Sequence, residues 1–323
     1  LRRCARRGIT SAWVTLMTEV VPRDIALISV SIDLGAGRRG VDMGPSALRI
    51  AGITAEVESI GHRVLESGTV TAGGFETTDT GESTLRFLTE IVDVAERTRN
   101  RVAKGMEDGC MPLILGGDHS LSIGSVAAVA AEYAKRDESI GLIWVDAHTD
   151  MNRPHTSPSG NIHGMSLAVL MGHGDERLVG LGGRDQAVKP ENVSVLGARQ
   201  LDAGEKALVS ELGVRVFTMS EIDDRGVSVC MDEALERANA GTGGFHVSFD
   251  LDSLDPREAP GVGTPVQGGL TYREAHLVCE KAARSGGLVS FEMVELNPVL
   301  DDRNHTAVLG VGLVASALGK SIL

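Results

Sequence analysis

Aromatic residues are scarce in this chain of 323 residues: two Trp, two Tyr and six Phe, or 3%. Positive charge is also short, with 31 Lys and Arg against 44 Asp and Glu and a formal net charge of −13. A chain with little to stack on bases and the wrong sign for phosphates is not built to bind nucleic acid. Cysteine is limited to Cys4, Cys110, Cys230 and Cys279, widely scattered and without a C-x-x-C pair. That pattern points to free thiols in a reducing compartment, so a cytoplasmic location is expected. Long apolar runs are missing as well. The longest uncharged apolar stretch, 306–319, is too short and too rich in Gly and Ala to span a bilayer, and reads as a buried helix. No membrane span is expected.

What is present suits a globular enzyme: hydrophobic residues make 42% of the chain and charged residues 23%. Short β-branched, apolar runs are found at 25–32, 62–66, 112–115, 141–145, 192–197, 214–217, 245–249 and 288–293. Helical patterns lie between and after them, near 84–105, 121–136, 203–212, 228–240, 271–286 and 303–319. Alternation of this kind predicts an α/β fold with a mostly parallel central sheet of about eight strands, flanked by helices on both faces. No Pro- or Ser-rich linker divides the chain, so a single domain is expected. The first residues stand apart. Arg2, Arg3, Arg6 and Arg7 lift the formal charge from −17 for the rest of the chain to −13, and no acid precedes Glu19. Met17 then directly precedes what reads as an ordinary protein start. Residues 1–18 are therefore expected to be a leader or non-native segment, and the domain to run over 19–323.

In open α/β sheets the chemistry gathers at the carboxyl ends of the strands. The first glycine-rich turn, GAGRRG at 35–40, fits the dinucleotide fingerprint, but Asp33 and Leu34 separate it from the strand. Pro45 also places the next helix several residues beyond Gly40, so the glycines do not open a helix and the nucleotide reading is weak. Three other strand ends carry acids and imidazoles. The strand 112–115 leads to Asp118 and His119, 141–145 to Asp146, His148 and Asp150, and 245–249 to Asp250 and Asp252. If the chain stays extended there, a period of two points each set to one face. Carboxylates gathered that densely need cations to neutralise them. The DLDSLD sequence departs from a calcium loop at its fifth and sixth positions, Leu254 and Asp255, and no cysteine lies near for structural zinc. Four aspartates and two histidines form a hard, oxygen-dominated set suited to Mn²⁺ and large enough for two ions.

These residues carry a family resemblance. GGDHS at 116–120, DAHTDMN at 146–152, SGNIHGM at 159–165 and SFDLDSLDP at 248–256 resemble the signature blocks of the ureohydrolases. RRGVDMGPSALR at 38–49, GTPVQGGLTYRE at 263–274 and VELNP at 294–298 extend the likeness, and SGNIHGM with the RRGVDMGP block is similar to arginases in particular. The resemblance implies an arginase-like fold and two Mn²⁺ ions per subunit, one held by His119, Asp146, Asp150 and Asp250, the other by His148, Asp146, Asp250 and Asp252. A bridging hydroxide would attack the guanidinium carbon of L-arginine to give L-ornithine and urea. It further implies that Asp150 orients the hydroxide, that His163 shuttles a proton to the leaving amine, and that Glu295 pairs with the guanidinium beside Thr264. The substrate carboxylate would be met by Asn152, Ser157 and Ser159, with Asn161 a further substrate-binding position, and the α-amino group by Asp202 with Glu205 behind it. Ala203 stands where the family commonly has Pro, and Ser157 where Thr is common. A homo-oligomer, trimer or hexamer, is implied as well.

Two readings of the substrate remain open from the residues themselves. Agmatine, 4-guanidinobutyrate or another guanidino compound would be served by the same metal blocks. Enzymes of that kind, however, have no need of the SGN sequence or of the acid at Asp202, and both are present here.

Overall fold

Apolar runs that are buried on both faces account for the centre of the molecule. The computed structural model describes residues 21–321, so the leader expected at 1–18 lies outside the described residues. Its strands are β1 (Asp24–Ser31), β2 (Arg63–Thr71), β3 (Met111–Leu115), β4 (Gly141–Val145), β5 (Val193–Ala198), β6 (Arg215–Thr218), β7 (Phe245–Asp250) and β8 (Leu288–Val294). All pair in parallel, in the order β2-β1-β3-β8-β7-β4-β5-β6, as one eight-stranded sheet within a single domain. Every residue of β3, β4 and β7 is buried, as expected of parallel strands covered on both sides.

Alternate side chains of these strands enter two separate apolar layers. Ile114, Leu142 and Trp144 pack with Ile91 and Val94 of the helix Leu88–Glu107 and with Val126 and Val129 of the helix Ser122–Ala134. Leu113, Leu115, Ile143, Val145 and Phe249 pack on the other face with Met231, Val278 and Leu313 of the helices Val227–Asn239, Tyr272–Ser285 and His305–Ala317. Burying each such side chain contributes about 1.5–3 kcal/mol, which fixes the sheet as a rigid platform.

All eight predicted strands and all six predicted helices are present. The differences arise from exposure and length. β2 continues to Thr71, well past the predicted 66, because it is an edge strand with mostly exposed side chains. Its hydrogen bonds to β1 leave no trace in an apolar pattern. Three seven-residue helices, Gly44–Ile50, Ile53–Ser59 and Met219–Arg225, are too short to show a helical period. A 3-10 turn, Val41–Met43, follows Gly40 directly, but the α-helix begins only at Gly44 with Pro45 in its first turn, so no α-helix opens on the glycines of 35–40. No helix among the described residues is long and apolar enough to cross a membrane.

The strand order sets where charged side chains can gather. The four middle strands, β3, β8, β7 and β4, end side by side, and each carboxyl end leads into one of the acidic or imidazole-bearing segments.

Candidate metal centre

Gly117, just past β3, donates its N–H to Val30 O at 2.9 Å. A Cβ there would stand 2.0 Å from Ile32 O, so only glycine lets the segment turn this closely over β1. Asp118 then takes Gly35 N on one oxygen and Ser120 N on the other, and caps the turn His119–Leu121. The His119 ring is stacked on Trp144, with centroids 3.9 Å apart and planes 8° from parallel. Its Nε2 lies 2.8 Å from Ser248 Oγ. The tautomer that donates Nε2–H to Ser248 leaves the lone pair of Nδ1 free.

The segments after β4 and β7 do not stay extended. Asp146 begins a bend, Asp150 has φ 49°, and Leu251–Ser253 forms a 3-10 turn. The side chains converge all the same, for a reason other than strand alternation. Asp146 Oδ1 accepts His148 N and Asp250 Oδ1 accepts Asp252 N, both at 2.7 Å, so each i, i+2 pair is closed by an aspartate-capped turn.

The turns produce a tight cluster. Oδ2 atoms of Asp146, Asp150 and Asp250 each lie 3.2 Å from His119 Nδ1. That nitrogen is buried, yet none of the three serves it as a hydrogen-bond partner. Asp146 turns its second oxygen to His148 Nδ1 at 3.4 Å, and Asp252 Oδ2 lies 3.1 Å from the same nitrogen. Two groups of convergent ligand atoms result: His119, Asp146 and Asp250, and Asp146, His148 and Asp252, with Asp146 in both. Ligand atoms about 2.1 Å from one small hard ion and at right angles stand roughly 3.0 Å apart, so a cation fits among these groups. Without one, burial and the neighbouring Asp146 push Asp150 up to about 7, and burial with Asp252 and Asp146 pushes Asp250 well above the usual carboxylate range. Burial opposes the charge of Asp146 too, but His119 and His148 hold that carboxyl well below its ordinary value.

Glu295 lies next to this cluster. Like Asp150 it has a left-handed backbone, φ 63°, which costs a non-glycine residue about 1–3 kcal/mol and is held here by Glu295 N donating to Gly117 O at 2.9 Å. Its Oε1 accepts His119 N and lies 2.9 Å from His163 Nδ1, while Oε2 is buried with no partner. Burial disfavours a charged His163, but the Glu295 carboxylate outweighs it and raises the imidazole to about 9.

A cleft of about 190 Å³ opens onto the cluster. Asn152, Ser157, Ser159, Asn161, Asp202, Glu205 and Thr264 all line it, together with His148, Asp150, His163, Asp250 and Asp252. His119, Asp146 and Glu295 do not border it and lie behind these residues. The predicted set is thus brought together in full, although several members are committed to each other. Asn152 Nδ2 donates to Asp202 Oδ2 at 3.1 Å, and Asn152 Oδ1 accepts Thr156 Oγ1. Glu205 accepts Asp202 N on one oxygen and Thr149 Oγ1 on the other, tying the Asp202 turn to the segment after β4. Ser157 Oγ and Ser159 Oγ accept backbone N–H groups of Gly160 and Asn161, which leaves their own hydrogens to donate to an anion. Thr264 Oγ1 donates to Asp252 Oδ2 at 3.0 Å. Arg38 is exposed and does not line the cleft.

Sequence reasoning missed Ser248, Trp144 and Gln200. Ser248 and Trp144 stand two residues before Asp250 and Asp146 on β7 and β4, so strand periodicity was a usable signal for both. Gln200, on the cleft wall, carried none.

Residues 23–319 match the model of the Arginase family. The chain is 46% identical to the arginase of Brevibacillus brevis over 304 residues, 93% of this chain and 99% of the relative. Among solved structures, the arginase of Bacillus cereus superposes with a TM-score of 0.88 at 46% identity, covering 93% of this chain and all of that one. Bacillus caldovelox arginase gives a TM-score of 0.89 at 45% identity over the same shares.

Proposed function

The chain belongs to the arginase family, and we infer that it hydrolyses the guanidinium group of L-arginine to L-ornithine and urea at the buried cluster, with two Mn²⁺ ions per subunit. The observation that carries the metal reading is the solitary His119 Nδ1, faced by three carboxylate oxygens at 3.2 Å, with Asp146 shared toward His148. His119, Asp146, Asp150 and Asp250 are assigned to one ion, and His148, Asp146, Asp250 and Asp252 to the other. Carboxylates and imidazoles without a thiolate suit manganese. When bound, such a pair of ions lowers the pKa of a shared water enough to supply a nucleophile at neutral pH.

The remaining steps fall to the chain's own groups. Asp150, which both lines the cleft and faces His119, accepts the nucleophile's hydrogen and aims its lone pair at the guanidinium carbon. Glu295 Oε2, the unpartnered acceptor, takes a guanidinium N–H by a charge-assisted hydrogen bond, with Thr264 alongside. His163, protonated at neutral pH by virtue of Glu295, delivers its proton to the nitrogen that leaves as the ornithine amine. The hydroxyls of Ser157 and Ser159, with Asn152 and Asn161, receive the α-carboxylate, and Asp202 receives the α-amino group. A cytoplasmic location and a homo-oligomer, trimer or hexamer, belong to the same reading. Met43, Val299, Leu300 and Val308 supply exposed apolar surface for subunit contacts.

The test is urea release from L-arginine, agmatine and 4-guanidinobutyrate by protein loaded with Mn²⁺. L-Arginine should be turned over fastest. Faster turnover of agmatine would assign the cleft to a decarboxylated substrate instead.

A further inference from the structure

Arg199 comes directly after β5 and is placed among three of the segments that build the site. Its main chain belongs to the first: Arg199 N and Gln200 N both donate to Ala147 O, at 2.8 and 3.1 Å, between Asp146 and His148. Its guanidinium reaches the second, the turn after β7, where Nη2 donates to Asp252 O at 2.7 Å and Leu254 O at 3.0 Å and Nη1 donates to Ser253 O at 3.0 Å. The third is the loop carrying Thr264, met through Val266 O by Nη2 at 2.7 Å and Nε at 3.1 Å. Arg199 makes no ion pair among the described residues. Its donors are spent on backbone carbonyls, those of the turn after β7 and those of Val266 and Gly197.

We propose that Arg199 is a positioning residue that fixes Asp252, and with it the ion assigned to His148, by tying the Asp252 turn to the Thr264 loop and to the segment after β4. The planar guanidinium presents five N–H donors in a fixed fork, which can serve several carbonyls at once, whereas a lysine ammonium offers three from a single point. The order imposed is visible at the ligand itself: Thr264 Oγ1 donates to Asp252 Oδ2, the oxygen that faces His148 Nδ1, so the two loops that the guanidinium joins also meet at the metal-facing atom. Gly269 leaves the room for this. A Cβ there would come within 2.6 Å of Arg199 Nη2. The guanidinium makes no hydrogen bond to the segment that carries His119, which rests on Ser248, Trp144 and the main chain of Gly117. The role is therefore asymmetric between the two ions, which separates it from general support of the fold.

The inference rests on the two-ion reading, and its test tells the two apart. Full-length wild type and Arg199→Lys are stripped of metal, titrated with Mn²⁺ and compared by calorimetry. Hydrogen exchange is monitored on the metal-free proteins. The variant should bind its first ion as the wild type does and its second about 10–100-fold more weakly, the usual cost of losing a group that holds a ligand in place. Amides of 252–255, 268 and 270 should exchange faster in the variant, and those of 117–122 at the wild-type rate. Two ions bound with unchanged affinities would overturn the role of Arg199. A wild type that itself takes up one ion would overturn the two-ion reading alone, and the exchange rates then decide: no change over 252–270 removes the positioning role. Arg199→Gln, planar but uncharged, serves if the lysine variant does not fold, with the same expected and contrary outcomes.

Discussion

Asn152 and Asp202, assigned to opposite ends of the substrate's amino-acid group, are hydrogen-bonded to each other in the cleft, Nδ2 to Oδ2 at 3.1 Å. Thr156 holds the other side of the Asn152 amide, so the orientation of the asparagine depends on the aspartate, and the proposed roles couple recognition of the two ends.

Replacing Asp202 by Ala should therefore raise KM for L-arginine about tenfold or more, since the α-ammonium loses its counter-charge and Asn152 loses its anchor. An analogue without the α-amino group, 5-guanidinopentanoate, should feel the second effect alone and show a much smaller rise. Steady-state kinetics with both substrates check this. Equal increases would take the α-amino role away from Asp202.

The His163 imidazole is held near 9 by Glu295, so it carries its proton throughout the neutral range and surrenders it as pH rises through about 9. Activity should fall on that alkaline side in the wild type. His163→Ala should lower kcat about a hundredfold while leaving Mn²⁺ uptake intact, because the hydrogen bond of the ring is to Glu295 and not to a ligand carboxylate. A variant with wild-type kcat, or one that no longer binds metal, contradicts the assignment.

Glu292 supplies a stability prediction away from the ligands. It is fully buried in the middle of the sheet, accepts hydrogen bonds from Ser122 and Ser125, and lies 3.3 Å from His246. Burial opposes its charge, but His246 and the two hydroxyls hold the carboxyl down to about 2. A glutamate in the unfolded chain titrates near 4.3, so the folded state holds the proton less tightly. The stabilisation is then complete above about pH 4.5 and is lost as pH falls toward 2. It amounts to about 3 kcal/mol. Glu292→Gln should lower the urea-unfolding stability of the metal-free protein by roughly that amount at pH 7, and the gap to wild type should close on acidification. A gap that is constant from pH 7 to pH 3 would show that the charge contributes nothing.

The parts of the fold legible in the sequence were those where burial writes itself into residue type. β4 and β7 are covered on both faces and read as apolar runs that stop at Asp146 and Asp250. β2, half exposed at the sheet edge, lost its last residues to a polar pattern. For the site, residue identity was legible and the mechanism of convergence was not. Alternation along an extended strand selected Asp146, His148, Asp250 and Asp252, whereas main-chain bonds to aspartate oxygens in tight turns are what gather them. Arg199 could not be found at all, because its partners are the carbonyls of Asp252, Leu254 and Val266, and a main-chain carbonyl has no letter in a sequence.

The place of β8 in the sheet also governs when the site can exist. Between β3 and β7 there is no direct pairing; β8 lies between them and is the last of the eight strands to leave the ribosome. Until it is inserted, His119 belongs to one half-sheet and the aspartates of β4 and β7 to another, and the bonds of the Glu295 N–H and carboxylate to Gly117 and His119, spanning 178 and 176 residues, have not been made. A nascent chain that stops short of β8 can pair β4 with β7 and so gather Asp146, His148 and Asp252, but it holds His119 and Glu295 apart from them. The ligand group around His119 is thereby confined to chains that have closed the sheet, and the final strand acts as the clasp that joins two unfinished halves into one catalyst.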